Sequence, residues 1–254
     1  MSGEEVATVT LGHSLNFVQE QTSDLDTARL VILIPAYNEA AALGNVLNSL
    51  PKTLSNIDAI QPLVIDDGSG DETSLIATAH GAWVAKHRLN SGVGLATRTG
   101  FKLAQILHAT YLVTLDADGQ HDPNELHNLL SPLIRDEADI VLGTRKKDRE
   151  NMPRLKQILN DAGSWLLRAV CGITATDSQS GYRAYTLRAL ERLQLSTSGY
   201  EICTEILIAA KRAKLRIREV PIRAIYTEYS KKKGQSTLNG INILLRLLGK
   251  TLSG

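Results

Sequence analysis

"YLVTLDADGQHDPNELHNLLSPLIRDEADIVLGTR", residues 111–145, decides how the rest of the chain is read. "YLVTLDA" is a short apolar run that predicts a buried strand. "DPNELHNLLSPLIRD" opens with Asp122-Pro123, an N-cap followed by the favoured first helical position, and predicts a helix. "ADIVLGTR" predicts a second strand. Strand, helix and strand at this spacing imply a βαβ unit of a largely parallel sheet. Between the first strand and the helix stand Asp116, Asp118 and Asp122. Carboxylates in such density repel one another unless a cation or a polar surface neutralises them.

The same alternation runs upstream. "RLVILIP", "PLVIDD" and "AWVAKH" predict strands; "EAAALGNVLNSL", "SGDETSLIATAH" and "GLATRTGFKLAQILHA" predict helices, the second opened by Ser and Asp, good capping residues. The pattern implies an α/β fold with a mostly parallel central sheet covered by helices on both faces. In such sheets ligands bind beyond the carboxyl ends of the strands. That rule gathers Tyr37, Asn38 and Glu39, then Asp66 and Asp67, then Asp116 and Asp118 into one crevice. Capping of the following helices accounts for one or two of these acidic strand ends and poorly for all three.

After Arg145 the pattern changes. "RLKQILNDAGSWLLRAVCG" predicts a long helix, "DSQSGYRAY" a polar loop entering a strand, and "YEICTEILIAAKRAK" another helix. "LRIREVPIRAIY" predicts one or two strands, with Pro221 marking an edge or a bend. "STLNGINILLRLLGK" carries its apolar residues on one helical face. The chain divides into an N-terminal arm (1–29), one α/β domain (30–235) and a C-terminal amphipathic helix (236–254).

Composition removes several function classes. The 254 residues carry a formal charge of +1, so bulk electrostatics do not favour nucleic acid as a partner. Cys171 and Cys203 lack zinc-site spacing and are expected as reduced core residues. Glu4 and Glu5 stand where a signal peptide needs basic residues, and no run approaches the roughly 20 apolar residues of a membrane span. A cytoplasmic protein is expected. There is no P-loop, and no GxGxxG follows the first strand, which argues against a P-loop NTPase and a dinucleotide-dependent dehydrogenase. "NSGVG" (90–94) is glycine-rich ahead of a helix, a weak signal for backbone N–H groups that meet phosphate. An Asp-x-Asp pair at a strand end suits a hard divalent cation such as Mg²⁺, with Gln120 as a further oxygen donor. Such a cation would neutralise a departing diphosphate.

"ILIPAYNEA", "VIDDGSGDET", "LNSGVGLATRTGF", "LDADGQHDP", "VLGTR" and "DSQSGYRAY" follow one another over residues 31–185. Six such motifs in order resemble family 2 glycosyltransferases of the GT-A fold, and most of all their dolichyl-phosphate mannose synthase-like branch. The resemblance covers residues 30 to about 240. It implies transfer of one hexose, with inversion, from a nucleotide sugar to a polyprenyl or dolichyl phosphate, with Mg²⁺ or Mn²⁺ as cofactor. By position, Pro35, Tyr37 and Glu39 would bind the nucleotide, Ile65 would line its pocket and Asp67 would contact the base. Asp116, Ala117 and Asp118 would bracket the diphosphate, and Asp116, Asp118 and Gln120 would hold the metal. Arg145 and Arg183 would face phosphate, and Asp177 would act as base or position the acceptor. Lys231 matches the arginine of the family's tail motif and would also meet the donor; Thr237 stands where that motif has lysine, a departure from the pattern.

Other residues draw plainer expectations. Asp66 supports its loop, and His121, beside Asp122-Pro123, is expected as a solvated loop residue. A polyprenyl phosphate lies in a bilayer, so the C-terminal helix and Lys231–Lys233 suggest peripheral contact with the membrane. The runner-up is a family 2 transferase with a soluble acceptor. A nucleotidyltransferase would carry a basic loop after the first strand, which "PAYNEAAAL" lacks. A catalytically silent nucleotide-sugar binder is disfavoured by the intact Asp116, Asp118, Arg145 and Arg183.

Overall fold

The computed structural model describes residues 29–145, 168, 175–223 and 225. The chain alternates from the start: β1 (Arg29–Ala36), α1 (Ala40–Ser49), β2 (Ala59–Asp66), α2 (Thr73–Ala79), β3 (Trp83–Lys86), α3 (Val93–Ile106) and β4 (Tyr111–Thr114). A 3₁₀ turn at Pro123–Glu125 leads into α4 (Leu126–Ile134), followed by β5 (Ile140–Thr144). Then come β6 (Arg183–Thr186), α5 (Leu187–Arg192), α6 (Ile202–Arg212) and β7 (Ile217–Pro221).

These strands form one sheet in the order β3-β2-β1-β4-β6-β5-β7. β1 pairs in parallel with β2 and β4, β2 with β3, and β5 with β7. β6 runs antiparallel to both neighbours, the one departure from the expected direction among the described strands. Its cause is local. The loop before β6 begins beside Arg145 at the far end of β5, so the strand can only run back away from the crevice. β7 ends on Pro221 and pairs on one side only among the described strands, as a proline-bearing edge strand should.

The near-continuous apolar sequence of β1 follows from burial on both faces. Leu30, Ile32 and Ile34 point into a core with Leu43 and Leu47 of α1 and Leu126, Leu129 and Leu133 of α4. Val31 and Leu33 join the opposite core with Phe101 and Ala104 of α3 and Ile206 and Leu207 of α6. Full burial of each such side chain contributes about 1.5–3 kcal/mol, so both layers hold the strand ends in place. At the far end of the sheet Asp139 accepts hydrogen bonds from the Arg216 backbone and side chain and pairs with Arg188. Burial raises its pKa, but these donors overcome that and leave the carboxyl well below the ordinary carboxylate range. This network ties β5, α5 and β7 together away from the crevice.

Among the described residues no helix is long and apolar enough to cross a membrane. The N-terminal arm through residue 28, the long helix expected near 154–172 apart from the helical Arg168, Cys171, Lys231–Lys233 and the C-terminal helix lie outside the described residues.

Candidate functional site

The parallel pairing brings three strand ends level. Asp67 N–H donates to the Ala36 carbonyl (2.8 Å) and His87 N–H to the Asp66 carbonyl (2.8 Å), extending the ladder one residue past the strands. On β1's other side, Leu115 N–H donates to the Leu33 carbonyl (2.9 Å). The acidic ends of β2 and β4 therefore flank β1, where the chain switches direction along the sheet, the place such folds bind ligands.

On the β2 side the loops brace one another. Asn38, in left-handed backbone (φ 53°), donates its N–H to Ser69 Oγ (2.9 Å), and its Oδ1 accepts from Gly70 N–H (3.0 Å). Glu39 N–H donates to Thr73 Oγ1 (2.9 Å). Tyr37 is left 44 % exposed at the crevice mouth, and Pro35 lies half-buried behind it. Asp66 supports the loop as expected: it accepts from Ser69 N–H (2.7 Å) and the Ser74 hydroxyl and lies 3.3 Å from Lys86 Nζ. Burial raises its pKa, and those donors more than offset that, so its carboxyl lies below the usual range.

Asp67, expected to contact the base, is 3 % exposed and held within the loops. Its Oδ1 accepts from His87 Nδ1 (2.7 Å) and Ser91 N–H (3.0 Å), and its Oδ2 from Gly92 N–H (2.7 Å). His87 is fixed from its other side by Thr99 Oγ1 (3.0 Å). The glycine-rich "NSGVG" is also corrected, because the N–H groups of Ser91, Gly92 and Gly94 are engaged within the protein. Those of Ser91 and Gly92 meet Asp67, while those of Gly94 and Leu95 reach the Ser198 carbonyl (2.7 and 3.2 Å). Gly92 is required there: at φ 94° its Cβ would stand 2.4 Å from that carbonyl oxygen. The side chains of Ile65 and Ala117 are buried in the two cores.

On the β4 side the backbone turns at Ala117 and Asp118. Asp118 Oδ1 accepts from Gln120 N–H (3.0 Å) and Oδ2 from Gln120 Nε2 (2.5 Å). Gln120 thus buttresses Asp118. The Asp116 side chain is 51 % exposed toward the crevice. Desolvation by the crevice walls still raises its pKa, against the pull of Arg145 and Arg183. Asp118 is raised too, first by desolvation and then by the charge of Asp116, against the Gln120 hydrogen bonds and His121.

The two acids are thus short of positive charge. No group of three or more His, Cys, Asp or Glu side chains forms a closed cage among the described residues. Two carboxylates in an open crevice fit Mg²⁺ or Mn²⁺ that completes its shell with water and phosphate oxygens.

His121, expected in solvent, is 5 % exposed. Its ring stacks on Tyr182 (centroids 4.7 Å apart, planes at 13°), and the Tyr182 hydroxyl donates to the Asp122 carbonyl (3.1 Å). Nδ1 accepts from Asp116 N–H (3.2 Å), and Nε2 stands 3.5 Å from Asp116 Oδ2. Burial, with the nearby Arg145 charge, pushes its pKa down to about 4, so the imidazole is neutral at physiological pH. No local signal marks Tyr182, sixty-one positions downstream, as its neighbour.

Arg145 and Asp177 form a side-on pair, Nε to Oδ2 at 2.7 Å and Nη2 to Oδ1 at 3.0 Å. Burial raises the Asp177 pKa, but Arg145 overcomes this and holds the carboxyl below its usual range. Arg183 is a correction. Expected to face phosphate, it is 1 % exposed and donates to the carbonyls of Ser180 (2.8 Å), Cys203 (2.7 Å) and Ser178 (2.6 Å). The reason is that the "DSQSG" loop leaves buried carbonyls that need donors, and the guanidinium supplies them. Cys203 is a free, partly buried thiol on α6.

Comparison with known proteins shows the family and the fold. The family model "Glycosyl transferase family 2" matches residues 31–193. The UDP-N-acetylglucosamine–dolichyl-phosphate N-acetylglucosaminyltransferase of Methanococcus voltae is 40 % identical over 241 residues, covering 86 % of this chain and 94 % of that protein. The undecaprenyl-phosphate mannosyltransferase of Micrococcus luteus is 33 % identical over 220 residues, covering 81 % and 87 %. Among solved structures, glucosyl-3-phosphoglycerate synthase of Mycobacterium tuberculosis with Mn²⁺, UDP and glucosyl-3-phosphoglycerate superposes with a TM-score of 0.64. It is 22 % identical and covers 86 % of this chain and 79 % of that one, a likeness of fold. The architecture is GT-A.

Proposed function

The chain belongs to glycosyl transferase family 2, and from that premise we propose that this hexosyltransferase moves one hexose from a nucleotide-diphosphate sugar to a polyprenyl or dolichyl phosphate. The observation that carries the acceptor is the likeness, over most of both chains, to the M. voltae and M. luteus enzymes, which are named for lipid-phosphate acceptors. The solved structure with UDP and a soluble phosphorylated product supports a nucleotide donor and a divalent cation, and it keeps a soluble acceptor as the second reading.

The side chains divide the work. Tyr37 and Glu39 beside the buried Asp67 form the nucleotide end of the crevice, with Pro35 behind them. Asp116 and Asp118, with the Gln120 side-chain Oε1, would hold Mg²⁺ or Mn²⁺, which when bound supplies the charge that lets the diphosphate leave. Arg145, aimed by Asp177, offers positive charge to the second anion, the acceptor phosphate. That phosphate is ionised at neutral pH, so its oxygen attacks the anomeric carbon without needing a general base. Asp177, held anionic by Arg145, is correspondingly a poor one. Arg183 adds charge behind Asp116 and fixes the 178–180 loop. Lys231 remains a proposed donor contact on sequence alone.

The deciding experiment incubates the enzyme with labelled UDP-glucose, UDP-N-acetylglucosamine or GDP-mannose, a short polyprenyl phosphate and Mg²⁺ or Mn²⁺. Label extracted into the organic phase is expected. Label found only on a water-soluble phosphorylated acceptor moves the assignment to the second reading.

A further inference from the structure

The Asp116 carboxylate is confined from two sides by residues that carry no charge to a ligand. On one side stands the backbone of Gly181. A Cβ there would lie 2.6 Å from Asp116 Oδ1 and 3.0 Å from Oδ2, so any side chain at 181 occupies the carboxylate's place. On the other side stands the His121 ring. Its Nδ1 accepts the Asp116 backbone N–H, which leaves the ring hydrogen on Nε2, 3.5 Å from Asp116 Oδ2. The ring cannot swing away, because it is buried and stacked on Tyr182. Tyr182 follows Gly181 directly, so one short segment supplies both the gap for the carboxylate and the platform for the imidazole.

We infer that His121 and Gly181 are positioning residues for Asp116: together they fix the direction in which its carboxylate meets the divalent cation. This rests on the reading that Asp116 and Asp118 hold that cation. Residues that orient a ligating group in this way typically change metal affinity by about 10- to 100-fold when altered. Asp118 has a support of another kind, since Gln120, two residues along, braces it. The turn therefore holds each carboxylate by a separate device, and losing one leaves the other in place.

The test titrates the full-length protein with Mn²⁺, reading free Mn²⁺ by electron paramagnetic resonance, with and without UDP or GDP. His121→Ala, His121→Asn and Gly181→Ala are compared with wild type, alongside thermal melting and nucleotide affinity in EDTA. His121→Ala and Gly181→Ala should weaken Mn²⁺ binding about 10- to 100-fold while metal-free nucleotide affinity is retained. His121→Asn should recover part of the loss, because its Oδ1 can accept the Asp116 N–H. The three atoms nearest a Cβ at 181 all belong to the movable end of the Asp116 side chain, so Gly181→Ala should fold even if His121→Ala does not. Mn²⁺ affinity unchanged in Gly181→Ala and His121→Ala, or a loss matched by an equal loss of metal-free nucleotide binding, overturns the inference. A wild-type protein that binds no Mn²⁺ even with nucleotide overturns the metal reading itself.

Discussion

Asp177 accepts three hydrogen bonds from Arg145, from Nε at 2.7 Å, Nη2 at 3.0 Å and the backbone N–H at 3.4 Å. The pair joins the end of β5 to the loop before β6, and it sets what Asp177 can do. A carboxylate clasped in this way stays ionised and takes up protons reluctantly.

Asp177→Asn should therefore lower turnover without removing a limb of the pH–rate profile between about pH 6 and 8. The stability effect has a definite sign. The folded pKa of Asp177 lies below its unfolded value, so the pair's contribution is present above the unfolded pKa, near 4, and fades as pH falls through the folded one. Melting curves of both proteins should differ at neutral pH by up to about 3 kcal/mol and converge in acid. A lost limb near neutrality would make Asp177 the base.

Asp116→Asn and Asp118→Asn should each reduce turnover on the order of 100-fold or more, and EDTA should do the same to the wild type. Metal-free stability should move the other way for Asp118. Desolvation and the Asp116 charge raise its pKa, so its ionised form is disfavoured in the fold. Asp118→Asn relieves that repulsion, and its apparent melting temperature in EDTA should equal or exceed that of wild type. Full turnover by metal-stripped protein would rule out the metal assignment.

Asp67→Ala should weaken nucleoside diphosphate binding in calorimetry. It should also cost stability, because it strands His87 and the N–H groups of Ser91 and Gly92. Each buried donor left unsatisfied costs about 1–3 kcal/mol. Unchanged affinity for every nucleoside diphosphate tested would remove Asp67 from the donor site and leave it as a loop anchor.

Arg183→Met should destabilise the protein by about 3–5 kcal/mol, since three buried carbonyls lose a charged donor. Thermal melting measures that, and protease sensitivity near residues 177–181 locates it. A variant of wild-type stability whose only defect is the Michaelis constant for the acceptor would return Arg183 to a phosphate-binding role.

The sequence of the tail gives one more expectation. Lys231, Lys232 and Lys233 precede Leu238, Ile241, Leu244, Leu245 and Leu248 at helical spacing. Basic residues near anionic lipid contribute about 1 kcal/mol each. Sedimentation with anionic liposomes should weaken as salt rises, and binding should be lost when the three lysines become Gln. Indifference to such liposomes at low salt, together with efficient glycosylation of a soluble acceptor, would favour the second reading.

Much of this molecule is local in origin, and the sequence by itself determined that part. The apolar run of β1, the Asp-Pro entry before α4 and the acidic residues just past β2 and β4 act within a few residues of themselves. They specify a sheet, its helices and a crevice with carboxylates at its ends. Asp66 as a loop support and Pro221 on an edge strand were legible for the same reason. What only the tertiary structure decided concerns partners far apart in the chain. Arg183 faces inward because Ser178, Ser180 and Cys203 present buried carbonyls to it. His121 is dry because Tyr182 arrives on β6's approach to stack against it. The glycines of "NSGVG" serve the close passage of Ser198, about a hundred residues on. Motif and periodicity carry the type of a residue and the direction of its strand. Whether a charged group meets solvent, a ligand or a buried carbonyl depends on which distant backbone is packed against it, and burial makes that choice worth several kcal/mol.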